Sequence, residues 1–244
     1  HDRLMLLVRQ RVADGHVLAL VEAFLNQSVL EEMKEWKPTE GTPQGGVISP
    51  LLANIYLHPL DVLMRDQGFE MTRYADDFVV LCRTAEECGR ALEMIRAWVT
   101  KVGLTLHPEK TRVVDMNEPG GFDFLGYHFE RDRREPRSKS LEKLKETIRT
   151  KTRRTNGHSL SAIIIDLNRT LKGWFGYFKH SNWWVFRELD RWIRMRLRSI
   201  LRKRQGKRGR GRGSDHQRWP NAYFAEMGLF SMLTAYRAAS QPHR

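Results

Sequence analysis

Two carboxylates stand side by side at Asp76-Asp77, between Glu70-Met-Thr-Arg-Tyr-Ala75 and Phe78-Val-Val-Leu-Cys82. Aromatic and β-branched runs on both sides of a polar pair predict a β-hairpin with the carboxylates at its tip. Like charges held that close repel unless a cation neutralises them. A hard divalent ion such as Mg²⁺ takes oxygen ligands and fills its other positions with water and substrate phosphates. Two such ions can stabilise both the attacking and the leaving oxygen of a phosphoryl transfer. Taken alone, such a pair reads far more often as a plain polar turn, since Asp is a common turn residue. His107, His128 and His180 have no metal-ligand spacing, and Cys82 and Cys88, the two cysteines, support neither a zinc pattern nor a disulfide scaffold.

The elements around the pair follow from local signals. Asp2 reads as the cap of a helix with Leu4, Leu7, Val8 and Val12 on its apolar face, ended by Gly15, and a second helix spans 16–26. Residues 40–46 are a glycine-rich loop, and Ser49-Pro50 opens a helix with proline at its first position. Thr84 with Glu87 forms a capping box for a helix whose apolar face is Ala91, Ile95, Trp98, Val99 and Val102, stopped by Gly103. Short extended segments are expected at 104–106, 111–114 and 122–129. After Arg131 the period changes from two to 3.6, predicting helices at 140–153, 159–172 and 185–204. Residues 206–213 are low-complexity, and a last helix is expected at 229–239.

Charge divides the chain in the same way. The net charge is +13, yet residues 1–132 carry −7 while 133–218 carry +19. Carboxylates suited to cations come first, and a surface suited to phosphates follows. The arginines of 185–204 share a helix with an apolar stripe and adjoin Trp174, Tyr177, Trp183, Trp184 and Trp192. Basic groups interleaved with aromatics suit nucleic acid, although a solvated helix face or core tryptophans would read alike. No apolar run reaches the ~20 residues of a membrane-spanning helix.

Several segments in chain order resemble reverse transcriptases of the group II intron type. Tyr74-Ala75-Asp76-Asp77 resembles their palm motif, and Thr42-Pro43-Gln44-Gly45-Gly46-Val-Ile-Ser49-Pro50-Leu51-Leu52-Ala53-Asn54 their fingers-palm motif. Residues 103–111, with Lys110, resemble the loop bearing a nucleotide-facing lysine, and Phe124-Leu125-Gly126-Tyr127 the primer grip. Residues 167–178 and 219–230 resemble the thumb and tail of the same family.

The resemblance implies an α+β fold: an incomplete polymerase palm, antiparallel sheet with helices, at 1–131, then an all-α thumb/maturase domain at 132–205. A basic glycine-rich linker, 206–218, and a helical tail, 219–244, complete the chain. It implies RNA-directed DNA polymerisation with two Mg²⁺ ions, intron RNA binding that assists splicing, and a bacterial cytoplasmic setting without membrane association. The implied partners are structured intron RNA, an RNA template with its DNA primer, and dNTPs.

By residue, Asp76 and Asp77 become metal ligands and catalytic groups. Lys110 faces the triphosphate. Pro43, Gln44, Gly45, Gly46, Tyr74 and Ala75 surround nucleotide and template, and Leu125, Gly126 and Tyr127 hold the primer. Arg194, Arg198 and Arg202, one turn apart on the last thumb helix, are expected to bind RNA. Read without the resemblance, Lys110 is a surface lysine and Gly126 a bulge glycine. In the family the first catalytic aspartate precedes the counterpart of His1-Asp2, so these residues alone are expected to hold metal poorly and not to polymerise. Two alternatives stand beside this reading: an RNA-binding maturase module without polymerisation, and a bacterial reverse transcriptase of a defence or CRISPR system.

Overall fold

A computed structural model describes residues 1–31, 34–36, 39–42, 45–211 and 213–240. The chain is α+β and divides into two compact units, His1–Val113 and Val114–Arg244.

In the first unit, α1 (Asp2–Arg9) and α2 (Gly15–Leu25) pack Leu4, Met5, Val8, Val21 and Leu25 against Leu52 of α3 (Ser49–Asp66). Asp2 is not the cap expected of it. It occupies the first turn of α1, where a negative charge meets the positive end of the helix, and the N-cap His1 makes no side-chain cap bond. Asp14 is the side chain that caps, with Oδ1 accepting from the backbone N–H of His16 (2.8 Å) and Val17 (3.1 Å) at the start of α2. β1 (Val29–Glu31) pairs antiparallel with β2 (Lys34–Trp36).

The far end of α3 forms a second cluster with β3 (Glu70–Tyr74), β4 (Asp77–Leu81) and α4 (Ala85–Lys101). Here Leu60, Met64, Phe69, Ala91, Ile95 and Val99 are buried. Thr84 caps α4 as expected, with Oγ1 accepting from Glu87 N–H at 3.2 Å, while the Glu87 carboxylate reaches one residue further out and accepts from Arg83 N–H at 2.7 Å instead of from Thr84. Tyr56 OH donates to the Val102 carbonyl at 2.6 Å, tying α3 to the end of α4.

The second unit opens with a three-stranded antiparallel sheet, β5 (Phe122–Phe124), β6 (Tyr127–Glu130) and β7 (Arg133–Pro136), in that order. Five helices follow at α5 (Ser138–Lys151), α6 (Leu160–Phe178), α7 (Trp183–Arg204), α8 (Ser214–Arg218) and α9 (Asn221–Glu226), then α10 (Met232–Ala239). β7, written Arg-Arg-Glu-Pro, carries no apolar alternation, so its sequence hides a strand that exists through pairing with β6. The chain is therefore not purely helical after residue 131. The sheet belongs with the helices because Tyr127 stacks among Tyr177 and Phe178 of α6.

Phe186, Leu189, Ile193, Leu197 and Ile200, the apolar stripe of α7, are all buried, as the 3.6 period predicts. The tail closes this core. Trp219, Phe224 and Met232 join it, and fully burying Phe224 contributes roughly 2–3 kcal/mol. Asp190 of α7 is itself buried and caps α10, accepting from Ser231 Oγ (2.6 Å), Met232 N–H (3.1 Å) and Leu233 N–H (3.2 Å).

Candidate active site

Tyr74 pairs with Asp77, so Ala75 and Asp76 alone make the connection between β3 and β4. Ala75 lies at φ +55° and Asp76 has no positive φ, the pattern of a type II′ hairpin turn. A left-handed alanine costs of order 1 kcal/mol, so surrounding contacts must hold it. Asp76, Asp77 and Tyr74 are exposed at this tip.

The contact that holds it comes from Arg73. Its Nε and Nη2 donate to the two carboxylate oxygens of Asp61 at 2.7 and 2.6 Å. Its Nη1 donates both to Asn54 Oδ1 (2.9 Å) and to the carbonyl of Ala75 (2.8 Å). The hydrogen bonds to Asp61 hold the Arg73 guanidinium above its ordinary range. One planar side chain thus ties α3 to the turn that displays the aspartates. Sequence reasoning missed Arg73 and Asp61. The available signal was Asn54 and Asp61 seven residues apart on one helical face, with an arginine beside the turn.

Among the described residues no three His, Cys, Asp or Glu side chains gather to enclose a metal. Asp76 and Asp77 form an open, all-oxygen donor pair instead. That set fits a hard divalent ion retaining water and phosphate ligands, and does not fit a closed zinc site.

The remaining expected residues are placed less directly. Pro43 and Gln44 lie outside the described residues. Gly45 adopts φ +85°, and the carbonyl of Gly46 accepts from Ser49 N–H at 3.1 Å as α3 begins. Lys110 is exposed on a turn in which its N–H and that of Thr111 reach the His107 carbonyl.

In the second unit, Leu125 (φ +48°) and Gly126 (φ +79°) form a two-residue turn with both φ values positive, the type I′ pattern. It is fastened from behind. Tyr177 OH donates to the Leu125 carbonyl (2.7 Å), Tyr127 OH donates to the Tyr177 carbonyl (2.6 Å), and Arg137 N–H and Ser140 Oγ donate to the Gly126 carbonyl. Burial pushes the Tyr127 hydroxyl above its usual range.

The expected RNA-binding row needs correction. Arg198 is 3% exposed; it donates to the Trp219 carbonyl and Asn221 Oδ1 (both 2.9 Å) and lies over the Phe224 ring. Arg202 pairs with buried Asp215 at 2.7 Å and donates to the Arg208 carbonyl. These two arginines hold the C-terminal segment, because the face they share is the one on which that segment docks. Arg194 is half-buried on the same helix.

An open carboxylate pair on a braced hairpin, on one chain with a basic helical unit, defines a candidate nucleotidyl-transfer protein. Residues 8–129 match the family described as Reverse transcriptase (RNA-dependent DNA polymerase), and 141–219 match the group II intron, maturase-specific domain. The chain belongs to the reverse transcriptase family.

Among curated relatives, the Group II intron-encoded protein LtrA of Lactococcus lactis subsp. cremoris is 46% identical over 61 residues, covering 25% of this chain and 10% of LtrA. An uncharacterized 91 kDa protein in a cob intron of Schizosaccharomyces pombe is 43% identical over 61 residues, 25% of this chain and 8% of that protein. Protein YkfC of Escherichia coli is 28% identical over 174 residues, 54% of this chain and 44% of YkfC. The chain thus spans less than half the length of each of these relatives. The family's chemistry calls for a divalent metal ion, and no helix among the described residues is long and apolar enough to cross a membrane.

Proposed function

We propose that this chain supplies the aspartate-bearing palm segment and the thumb of an RNA-directed DNA polymerase of group II intron type, which also binds intron RNA to assist splicing. The observation that carries the reading is the Asp76-Asp77 tip, braced through Arg73 onto α3 and open to solvent. Bound Mg²⁺ would supply Lewis-acid stabilisation of charge developing on the transferred phosphoryl group.

The chain's own residues prepare that step. Asp76 and Asp77 would hold the ions, and Arg73, through its bond to the Ala75 carbonyl, ties the turn that carries them to α3. Gly45 and Gly46, with Pro43 and Gln44, let backbone approach the incoming dNTP and the RNA template, beside Tyr74 and Ala75. Lys110 donates a proton toward the departing pyrophosphate. Leu125, Gly126 and Tyr127 hold the DNA primer strand on a turn that α6 fastens. The setting that fits is the bacterial cytoplasm.

Asp76→Asn in the complete gene product tests the reading. cDNA synthesis on a primed RNA template should fall below a few per cent of wild type, with RNA binding largely kept, because the carboxylate acts on metal and transition-state charge. Synthesis at wild-type rate would remove Asp76 from the site.

A second reading, an RNA-binding maturase that does not polymerise, draws support from the helical unit, which has its own buried core. Splicing assistance that survives Asp76→Asn in a protein without detectable polymerisation would favour it.

A further inference from the structure

A cavity of about 250 Å³ lies inside the second unit, where the end of α5 meets the middle of α7 and the glycine-rich segment ahead of α8. Arg149, Arg154, Arg196 and Arg210 line it together with Trp192 and Thr152, and none of its described lining residues is acidic. We propose that this cavity is a docking pocket for a single backbone phosphate of RNA, resting on the reading that the helical unit binds RNA.

The charge arrangement is the first support. Arg196 makes all its hydrogen bonds to neutral oxygens: Nε to Thr152 Oγ1 at 2.5 Å, and Nη2 to the carbonyls of Arg149 and Thr152 at 3.2 Å. Burial and the neighbouring Arg149 and Arg154 push it below the ordinary guanidinium range. Arg154 donates to the Gly209 carbonyl, and Arg149 reaches one exposed carboxylate, Glu146, at 3.2 Å. Guanidiniums gathered with so little counter-charge repel one another, and an anion entering the cavity relieves that cost.

Geometry is the second. Arg149 and Arg196 both lie over the Trp192 ring, at 5.8 and 5.3 Å from its centre, which sets two guanidinium planes on a rigid indole. The bonds within the protein use Nε and Nη2 of Arg196 and one N–H of Arg149 Nη1, which leaves Arg196 Nη1 and the other N–H groups of Arg149 to donate to phosphate oxygens. Four guanidiniums and no carboxylate in the described lining favour an anion over a neutral nucleobase as the occupant. The pocket sits within the 133–218 stretch that carries +19, so a polymer anchored there would meet further cations on either side.

The test compares two charge-matched double variants of the chain by filter binding to a structured RNA across a salt series. Arg154→Gln with Arg210→Gln alters the pocket at two exposed side chains, so folding is spared. Arg187→Gln with Arg191→Gln removes two exposed charges from another face of α7. The pocket pair should bind about tenfold more weakly near physiological salt, with a log–log salt slope shallower by about one, and the other pair should change both less. Equal losses in the two variants would overturn the pocket while leaving RNA binding intact. Absence of RNA binding by the wild-type chain would overturn the helical unit's RNA role and the pocket together. Inorganic pyrophosphate serves as the free-anion probe. If it raises the thermal midpoint of wild type but not of the pocket variant while both variants bind RNA alike, the cavity takes a free anion and the backbone assignment falls.

Discussion

Arg73 holds Asp61 with two nitrogens, at 2.6 and 2.7 Å, and from the same guanidinium reaches the Ala75 carbonyl at 2.8 Å. The pair lies twelve residues apart, on β3 and α3, and joins the aspartate turn to a helix. The Arg73 side chain is only 10% exposed, so the charge is shielded from water while the aspartates it positions stay open to it.

Loss of that brace should be felt at the site before it is felt in the fold. Arg73→Lys keeps the charge but loses the planar fork, and the lysine cannot serve Asp61, Asn54 and Ala75 at once. In the complete gene product the Mg²⁺ concentration for half-maximal cDNA synthesis should rise severalfold, with unfolding shifted by about 1 kcal/mol. Arg73→Met, which leaves Asp61 without its partner, should cost about 2–3 kcal/mol in urea denaturation. An unaltered Mg²⁺ requirement in the lysine variant would reduce Arg73 to a structural ion pair.

Gly121 is the most closely approached of the described glycines in the second unit. It has φ +52°, and a Cβ there would stand 2.0 Å from the Phe129 carbonyl oxygen, where backbone cannot yield cheaply. Gly121→Ala should destabilise this unit by about 2–4 kcal/mol. Gly157→Ala, where a Cβ meets nothing within 4 Å, should leave the urea midpoint within about 0.5 kcal/mol of wild type. Comparable midpoints for the two variants would contradict the geometry.

Asp190 is the buried acceptor for the start of α10. Asp190→Ala strands two backbone N–H groups and the Ser231 hydroxyl, at a cost of about 2–3 kcal/mol. Hydrogen exchange across 232–239 should accelerate more than tenfold while exchange in α6 changes little. Uniform acceleration through both helices would mean that the tail opens only with global unfolding.

Local chemistry settled much of this protein in advance. The two-residue hairpin bearing Asp76-Asp77, the Thr84–Glu87 cap and the buried stripe of α7 arise from contacts a few residues apart, so spacing and residue type suffice to read them. The α+β class and the reverse transcriptase family were legible for the same reason, since their signals are short motifs in chain order.

Tertiary structure decided where each arginine spends its charge. Arg73, Arg196 and Arg198 look alike in the sequence, yet one braces a turn, one lines a cavity of cations and one is buried beneath the tail. β7 likewise exists because β6 offers it an edge, and its own residues give no sign of a strand. A guanidinium carries five donors and no directional preference along the chain, so its partners are whichever acceptors the folded backbone brings within about 3 Å.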